Sequence, residues 1–123
     1  MPSTSDATTA SGQLAASISN GIVGLMHHYT GRGPVRARTT IDENLVVCVL
    51  GDTLTKAEQH MVDAGRRKAV LRGRRAMQHT ISEEAIALVS KLTNREVVAF
   101  MSNNNIAPDL AVETFVLAPA SPD

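Results

Sequence analysis

The sequence is poor in aromatic residues, in cysteine and in long apolar runs, and each shortage excludes a class of function. Its 123 residues include no tryptophan and only three aromatic rings, Tyr29, Phe100 and Phe115. So few rings argue against a surface that stacks nucleic-acid bases and against an aromatic cage. The single cysteine, Cys48, excludes an intramolecular disulfide framework and is compatible with a reducing cytosol. It lies in the apolar run Leu45-Val46-Val47-Cys48-Val49-Leu50, where a buried, inert thiol is expected. No segment reaches the roughly 18 apolar residues of a membrane span. Residues 1–12 lack the basic region and apolar core of a signal peptide. They read as a disordered lead-in, and residues 119–123 as a flexible tail. The expectation is one soluble, cytoplasmic domain over residues 13–118, long enough to fold without a disulfide or a metal.

What is present is charge, and it is segregated. Twelve Lys and Arg balance twelve Asp and Glu, for a formal net charge of zero with His neutral. Most of the basic residues nevertheless fall between Arg32 and Arg75, and the flanks carry the compensating acids. Such asymmetry points to an anionic partner.

Along the chain, Leu14, Ile18, Ile22, Leu25, Met26 and Tyr29 recur at helical spacing and predict an amphipathic helix over 13–29, with Ser11 as its N-cap. Gly21 and Gly24 inside it imply close packing against another element or a partner chain. Gly31 and Pro34 end it. Residues 35–41 and 45–50 read as two strands joined at Asp42-Glu43-Asn44. The first alternates, with Arg36, Arg38 and Thr40 on one side. The second is apolar throughout and reads as a central strand covered on both faces. Thr55-x-x-Glu58 is a capping box. Helical periodicity then runs to about Leu92 without proline, roughly 57 Å if continuous. That exceeds a compact domain of this size. The helix must break, with Gln78 to Ser82 the favoured place and Gly73 another candidate, or form the spine of an oligomer. A second hairpin follows, with strands over 96–101 and 110–117 and a polar loop, Ser102 to Asp109, that holds three consecutive asparagines. The predicted fold class is α+β, a four-stranded antiparallel sheet from two hairpins with helices on one face, in the order α-β-β-α(long)-β-β.

Two stretches could carry function. Gly31-Arg32-Gly33-Pro34, followed by Arg36 and Arg38, reads either as a helix stop with a stiff turn or as an anion cradle of backbone N–H groups and guanidinium forks. The tetrad matches neither the P-loop nor the dinucleotide fingerprint. Residues 66–75 hold six basic residues in ten. They read as a solvated helix face or as a surface, led by Arg66 and Arg67, for phosphates, an anionic membrane or an acidic protein. Arg67, Arg74 and Arg75 fall close together on that helix. No catalytic grouping, metal site or cofactor is expected. His27 and His28 diverge by about 100° on a helix, and His60 and His79 are isolated.

Several motifs in order resemble one known family. They are Tyr29-Thr30-Gly31-Arg32-Gly33-Pro34 with Arg36-Ala37-Arg38; Leu54-Thr55-x-x-Glu58; Ala64-Gly65-Arg66; Leu92-Thr93-Asn94-Arg95-Glu96-Val97 with Ala99-Phe100-Met101-Ser102; and Pro108-Asp109 before Val112-Glu113-Thr114-Phe115-Val116-Leu117. Together, over about residues 14–119, they resemble the small bacterial MpsC-like domains. The resemblance implies a cytoplasmic accessory protein of a sodium-translocating, membrane-potential-generating system linked to inorganic-carbon uptake, rather than the transporter. It carries over no catalytic residue, only the positions Gly31 to Pro34 with Arg36 and Arg38. Three readings follow. The leading one is a non-catalytic binding module, expected as a homodimer, that recognises an anion or an acidic partner through Gly31, Arg32, Gly33, Pro34, Arg36, Arg38, Arg66 and Arg67. The alternatives are a nucleic-acid-binding protein using residues 66–75 and an enzyme acting on a small anion.

Overall fold

The computed structural model of the chain describes residues 4–32 and 36–120, with side chains from residue 10 onward. Its elements are α1 (Thr4–Thr30), β1 (Arg36–Asp42), β2 (Leu45–Gly51), α2 (Lys56–Asp63), α3 (Arg67–Thr93), β3 (Val97–Asn105) and β4 (Leu110–Leu117). The strands form one antiparallel sheet in the order β1-β2-β4-β3. Each hairpin pairs internally, and β2 pairs with β4 at the centre. The expected α+β architecture is therefore the one observed.

Alternation decides which face each strand residue serves. Val46, Cys48 and Leu50 of β2 and Ala111, Phe115 and Leu117 of β4 are buried with Ile18 and Ile22 of α1 and Ala85 and Val89 of α3. The predicted apolar face of α1 and the inward face of β1 pack here, with Leu14, Leu25, Met26, Ala37 and Ile41 against the same core. Phe115 is fully buried and meets Phe100 at 5.0 Å between ring centroids. Leu54, Val70 and Ile106 form a second, smaller core under α2.

Four expectations about elements need correction. The first helix does not start near Gln13 with Ser11 as its cap. It begins at Thr4, because residues 4–12 offer alanines and no proline to interrupt it. The long helix breaks at Ala64-Gly65-Arg66, not near Gln78 to Ser82. Gly65 takes φ +79°, a left-handed conformation that side chains disfavour, and the chain reverses there. Thr80 and Ser82 stay helical and turn their hydroxyls back on the Ala76 and His79 carbonyls. The three asparagines belong to β3 and pair with Val112, Ala111 and Leu110, so the connection shrinks to Ile106–Asp109. Finally, β2 is central but covered on one face only.

Gly21 has a clear reason. A Cβ there would lie 2.5 Å from Cδ2 of Leu88, so α1 and α3 approach each other at this point. The overlong helix and Gly21 are thus accounted for within the chain, whereas a Cβ at Gly24 would meet nothing within 4 Å and the structure gives that glycine no reason.

Candidate functional site

Two arginines fasten the ends of the sheet. Arg95 binds the carbonyls of Glu43 and Ala118 and the Asn44 side chain, which locks the first hairpin turn to the end of β4. At the opposite end Arg74 is 7% exposed and uses all of its donors. Nε donates to Glu58 Oε2 at 2.9 Å and Nη2 to Glu58 Oε1 at 2.8 Å. Nη2 also reaches the Thr53 carbonyl at 2.6 Å, and Nη1 reaches Thr53 Oγ1 at 2.8 Å and Asn104 Oδ1 at 3.3 Å. Glu58 is presented by the expected capping box, whose two bonds with Thr55 are both formed. Burial pushes the Glu58 carboxyl up, but the bonds from Arg74 and from the Thr55 backbone together outweigh it and hold the group below its ordinary value. Asp109 extends the network by accepting from Thr53 Oγ1 at 2.9 Å and from the Leu54 N–H at 2.8 Å. Arg74 is therefore an internal tie between α2, α3 and β3. It is not part of the basic surface with Arg67 and Arg75, as helical spacing alone implied.

The remaining basic residues divide into two exposed groups. Arg66, Arg67, Lys68, Arg72 and Arg75 surround the start of α3. Arg32 and Arg36 converge on Asp52, Arg32 Nη2 on its carbonyl at 3.5 Å and Arg36 Nη2 on its Oδ2 at 3.4 Å. Arg36 lies over Gly51, where a Cβ would come 3.2 Å from the guanidinium. Gly31 takes φ +74° and returns its N–H to the His27 carbonyl at 2.9 Å, the geometry of a helix stop. Gly33 and Pro34 lie outside the described residues. Arg38 is exposed on β1 and makes no ion pair among the described residues. No hydrogen bond or ion pair among the described residues joins Arg66 or Arg67 to Arg32, Arg36 or Arg38.

Arg36 and Arg38 stand on the open face of the sheet, with apolar residues of β2 and β4 beside them. Strand register places Arg38 beside Val49, Val112 and Asn103, and Thr40 beside Val47, Thr114 and Met101. Asp42, Leu45, Val116 and Ala99 form the next row. Leu45 is 42% exposed and Met101 53%. Val98, set out of register by the bulge between Val97 and Ala99, is also exposed. No helix among the described residues covers this face. A contiguous apolar surface with a charged margin is typical of an interaction site.

The covered face carries one residue that sequence reading passed over. Glu113 points inward between Ala111 and Phe115 and is 7% exposed. Burial pushes its carboxyl up to about 7, against a smaller downward pull from Ser102 opposite. Among the described residues neither Glu113 Oε2 nor Ser102 Oγ has a hydrogen-bond partner of good geometry. The available signal was a carboxylate at an inward position of an alternating strand, Ala111-x-Glu113-x-Phe115-x-Leu117. Burial likewise pushes the Cys48 thiol up, which makes it a poor nucleophile.

Among the described residues no helix is long and apolar enough to cross a membrane. No curated protein and no solved structure matches the chain. One family model does, over residues 10–119, and its description is the Na+-translocating membrane potential-generating system (MpsC). That match takes in both hairpins, both arginine ties and the open sheet face, and the chain belongs to the MpsC family.

Proposed function

We propose that the chain is a non-catalytic accessory protein that works in the cytoplasm and docks onto an acidic surface of a protein component of the membrane system after which its family is named. The observation that carries the reading is the uncovered face of the sheet, apolar at its centre and lined along β1 by Arg36 and Arg38. An apolar patch supplies affinity through burial. The guanidinium groups at its margin select carboxylates and speed encounter. Arg32 extends that margin, and Arg66 and Arg67 form a second basic group. An acidic protein fits both better than another basic surface would. A second copy of the chain is the competing occupant of the same face.

The test is a binding titration with four probes at low salt: a glutamate–tyrosine copolymer, single-stranded DNA, phosphatidylglycerol vesicles and the chain itself. The expected result is salt-sensitive binding of the copolymer that weakens at least about tenfold in Arg36→Glu/Arg38→Glu. Charge reversal at Arg66 and Arg67 is expected to cost less. Binding of DNA in preference to the copolymer, lost on reversal of Arg66 and Arg67, would replace this reading with a nucleic-acid one. Dimerisation abolished by Leu45→Ser/Val49→Ser would assign the face to a second copy. The remaining alternative, an enzyme acting on a small anion, draws no support from the covered face, where Arg74 is saturated and Glu113 supplies negative charge.

A further inference from the structure

Between α1, α3 and the covered side of β3 and β4 lies a cleft of about 320 Å³. That is at the low end of the roughly 300–1,000 Å³ found for small-molecule sites. Its walls are mostly apolar: Ile22, Met26 and Tyr29 from α1, Met77 and Ile81 from α3, and Phe100 from β3. Glu113 lines it from β4.

A carboxyl group buried in such surroundings is costly, and the cost is highest when its oxygens find no donor. Glu113 Oε2 and Ser102 Oγ are both in that position, side by side across the β3–β4 pair. Other polar groups of the interior are matched with care. Arg74 has every donor satisfied, and Ser19 and Thr39 share a 2.7 Å hydrogen bond between α1 and β1. Glu113 lines the cleft, where a donor on a bound molecule would satisfy its carboxylate, while Ser102 lines the adjoining depression.

The charge balance of the walls selects the kind of donor. Glu58 and Arg74, the other charged lining residues, neutralise each other in a bidentate pair. Arg74 has no N–H left for a ligand anion. The uncompensated charge of the cleft is therefore that of Glu113, and a cationic donor is the complementary head group.

We infer that the cleft binds a small amphipathic amine, its apolar body held between α1 and α3 and its ammonium group donating to Glu113. This site lies on the covered side of the sheet and does not rest on the docking reading of the open face. Glu113 is faced by Cys48 from β2 and by Ser102 and Asn104 from β3. Tyr29 of α1, Glu58 of α2 and Arg74 of α3 line the same cleft, and His79 and Arg75 of α3 line the adjoining depression beside Ser102. A bound ammonium stabilises the carboxylate, so amine affinity rises as the medium is taken from mildly acidic to mildly basic.

The experiment is an NMR titration of the full chain, observed at the Met26 and Met77 methyl groups, with hexylamine, phenethylamine, hexanol and hexanoate. The expected result is that both amines shift both methyl groups and bind about tenfold or more tighter than hexanoate. Glu113→Gln should remove that preference for amines over hexanol. Met77→Trp, which narrows the cleft at a half-exposed position, should weaken all four probes alike. Hexanoate binding as well as hexylamine, no shift from either amine at millimolar concentration, or an undiminished amine preference in Glu113→Gln would each overturn the inference.

Discussion

The two faces of the sheet are made by the same strands and both carry apolar side chains, yet one is sealed and the other is bare. On β2, Val46, Cys48 and Leu50 are buried under α1 and α3, while Leu45 and Val49 on the other side are exposed. The covered face builds the fold. The open face keeps apolar side chains that the fold does not use, and an apolar surface left in water costs free energy unless something else covers it. The contrast separates residues that hold the molecule together from residues available to a partner. It also separates two uses of arginine. Arg74 and Arg95 are spent on internal ties, while Arg36 and Arg38 stand on the open side of an edge strand. Charges there also discourage edge-to-edge pairing of sheets.

The sharpest way to break the comparison is to truncate matched residues on opposite faces. Phe115→Ala should cost about 3–5 kcal/mol in urea unfolding. Its outward neighbour Val116→Ala should cost less than about 1 kcal/mol. Similar losses at the two positions would mean that the open face is also packed. Next in size, Arg74→Met should cost about 3 kcal/mol by leaving Glu58 and the Thr53 carbonyl without their donors. Because the Glu58 pKa is lowered in the fold, its contribution is present above the ordinary carboxylate value and is lost as pH falls through the folded value. Arg74→Met should therefore flatten the acid limb of the stability profile.

Glu113 titrates with the opposite sign. The folded state holds its proton up to about 7, against an ordinary carboxyl value of 4.5. Between those two values the unfolded chain has released the proton and the fold has not, so stability falls as pH rises through that window. Glu113→Gln should remove this slope and, relative to the native chain, gain up to about 3 kcal/mol from the acid to the alkaline side. A parallel pair of profiles would show that Glu113 is not buried in solution. The smallest stability effects are expected at Thr55→Ala, about 1 kcal/mol from the lost N-cap, and at Arg36→Glu/Arg38→Glu, within about 0.5 kcal/mol. The last pair should change binding and leave the fold intact, as an open face requires.

Much of this was legible in the sequence, and what was not has physical causes. The alternation of β1, the capping box at Thr55 and the apolar face of α1 are local patterns, and local patterns were read correctly. The break at Gly65 was missed because a helix end is set by what the chain packs against afterwards, and Gln78 to Ser82 looked equally good in isolation. The asparagines of β3 read as loop because their strand pairing is with residues of β4 across the hairpin. Cover on both sides of β2 was inferred from its composition, and composition cannot distinguish a face under a helix from one awaiting a partner. Arg74 and Glu113 needed the third dimension most. Each is an ordinary surface residue by type, and only the contacts of Thr53, Glu58 and Asn104, or their absence at Glu113 Oε2, reveal its role. Of the expected binding residues, Arg36 and Arg38 share one face and Arg32 approaches Arg36 through Asp52, whereas Arg66 and Arg67 stand on a separate element.

The separation of the two faces can be tested directly by hydroxyl-radical oxidation of the methionines. Met101 stands on the open face and Met26 packs against the covered core. In the chain alone, Met101 should oxidise much faster than Met26. Adding the glutamate–tyrosine copolymer should protect Met101 and leave Met26 unchanged. Copolymer binding that leaves Met101 unprotected would contradict the assignment of the open face to an acidic partner, as would protection that arises only from raising the concentration of the chain itself.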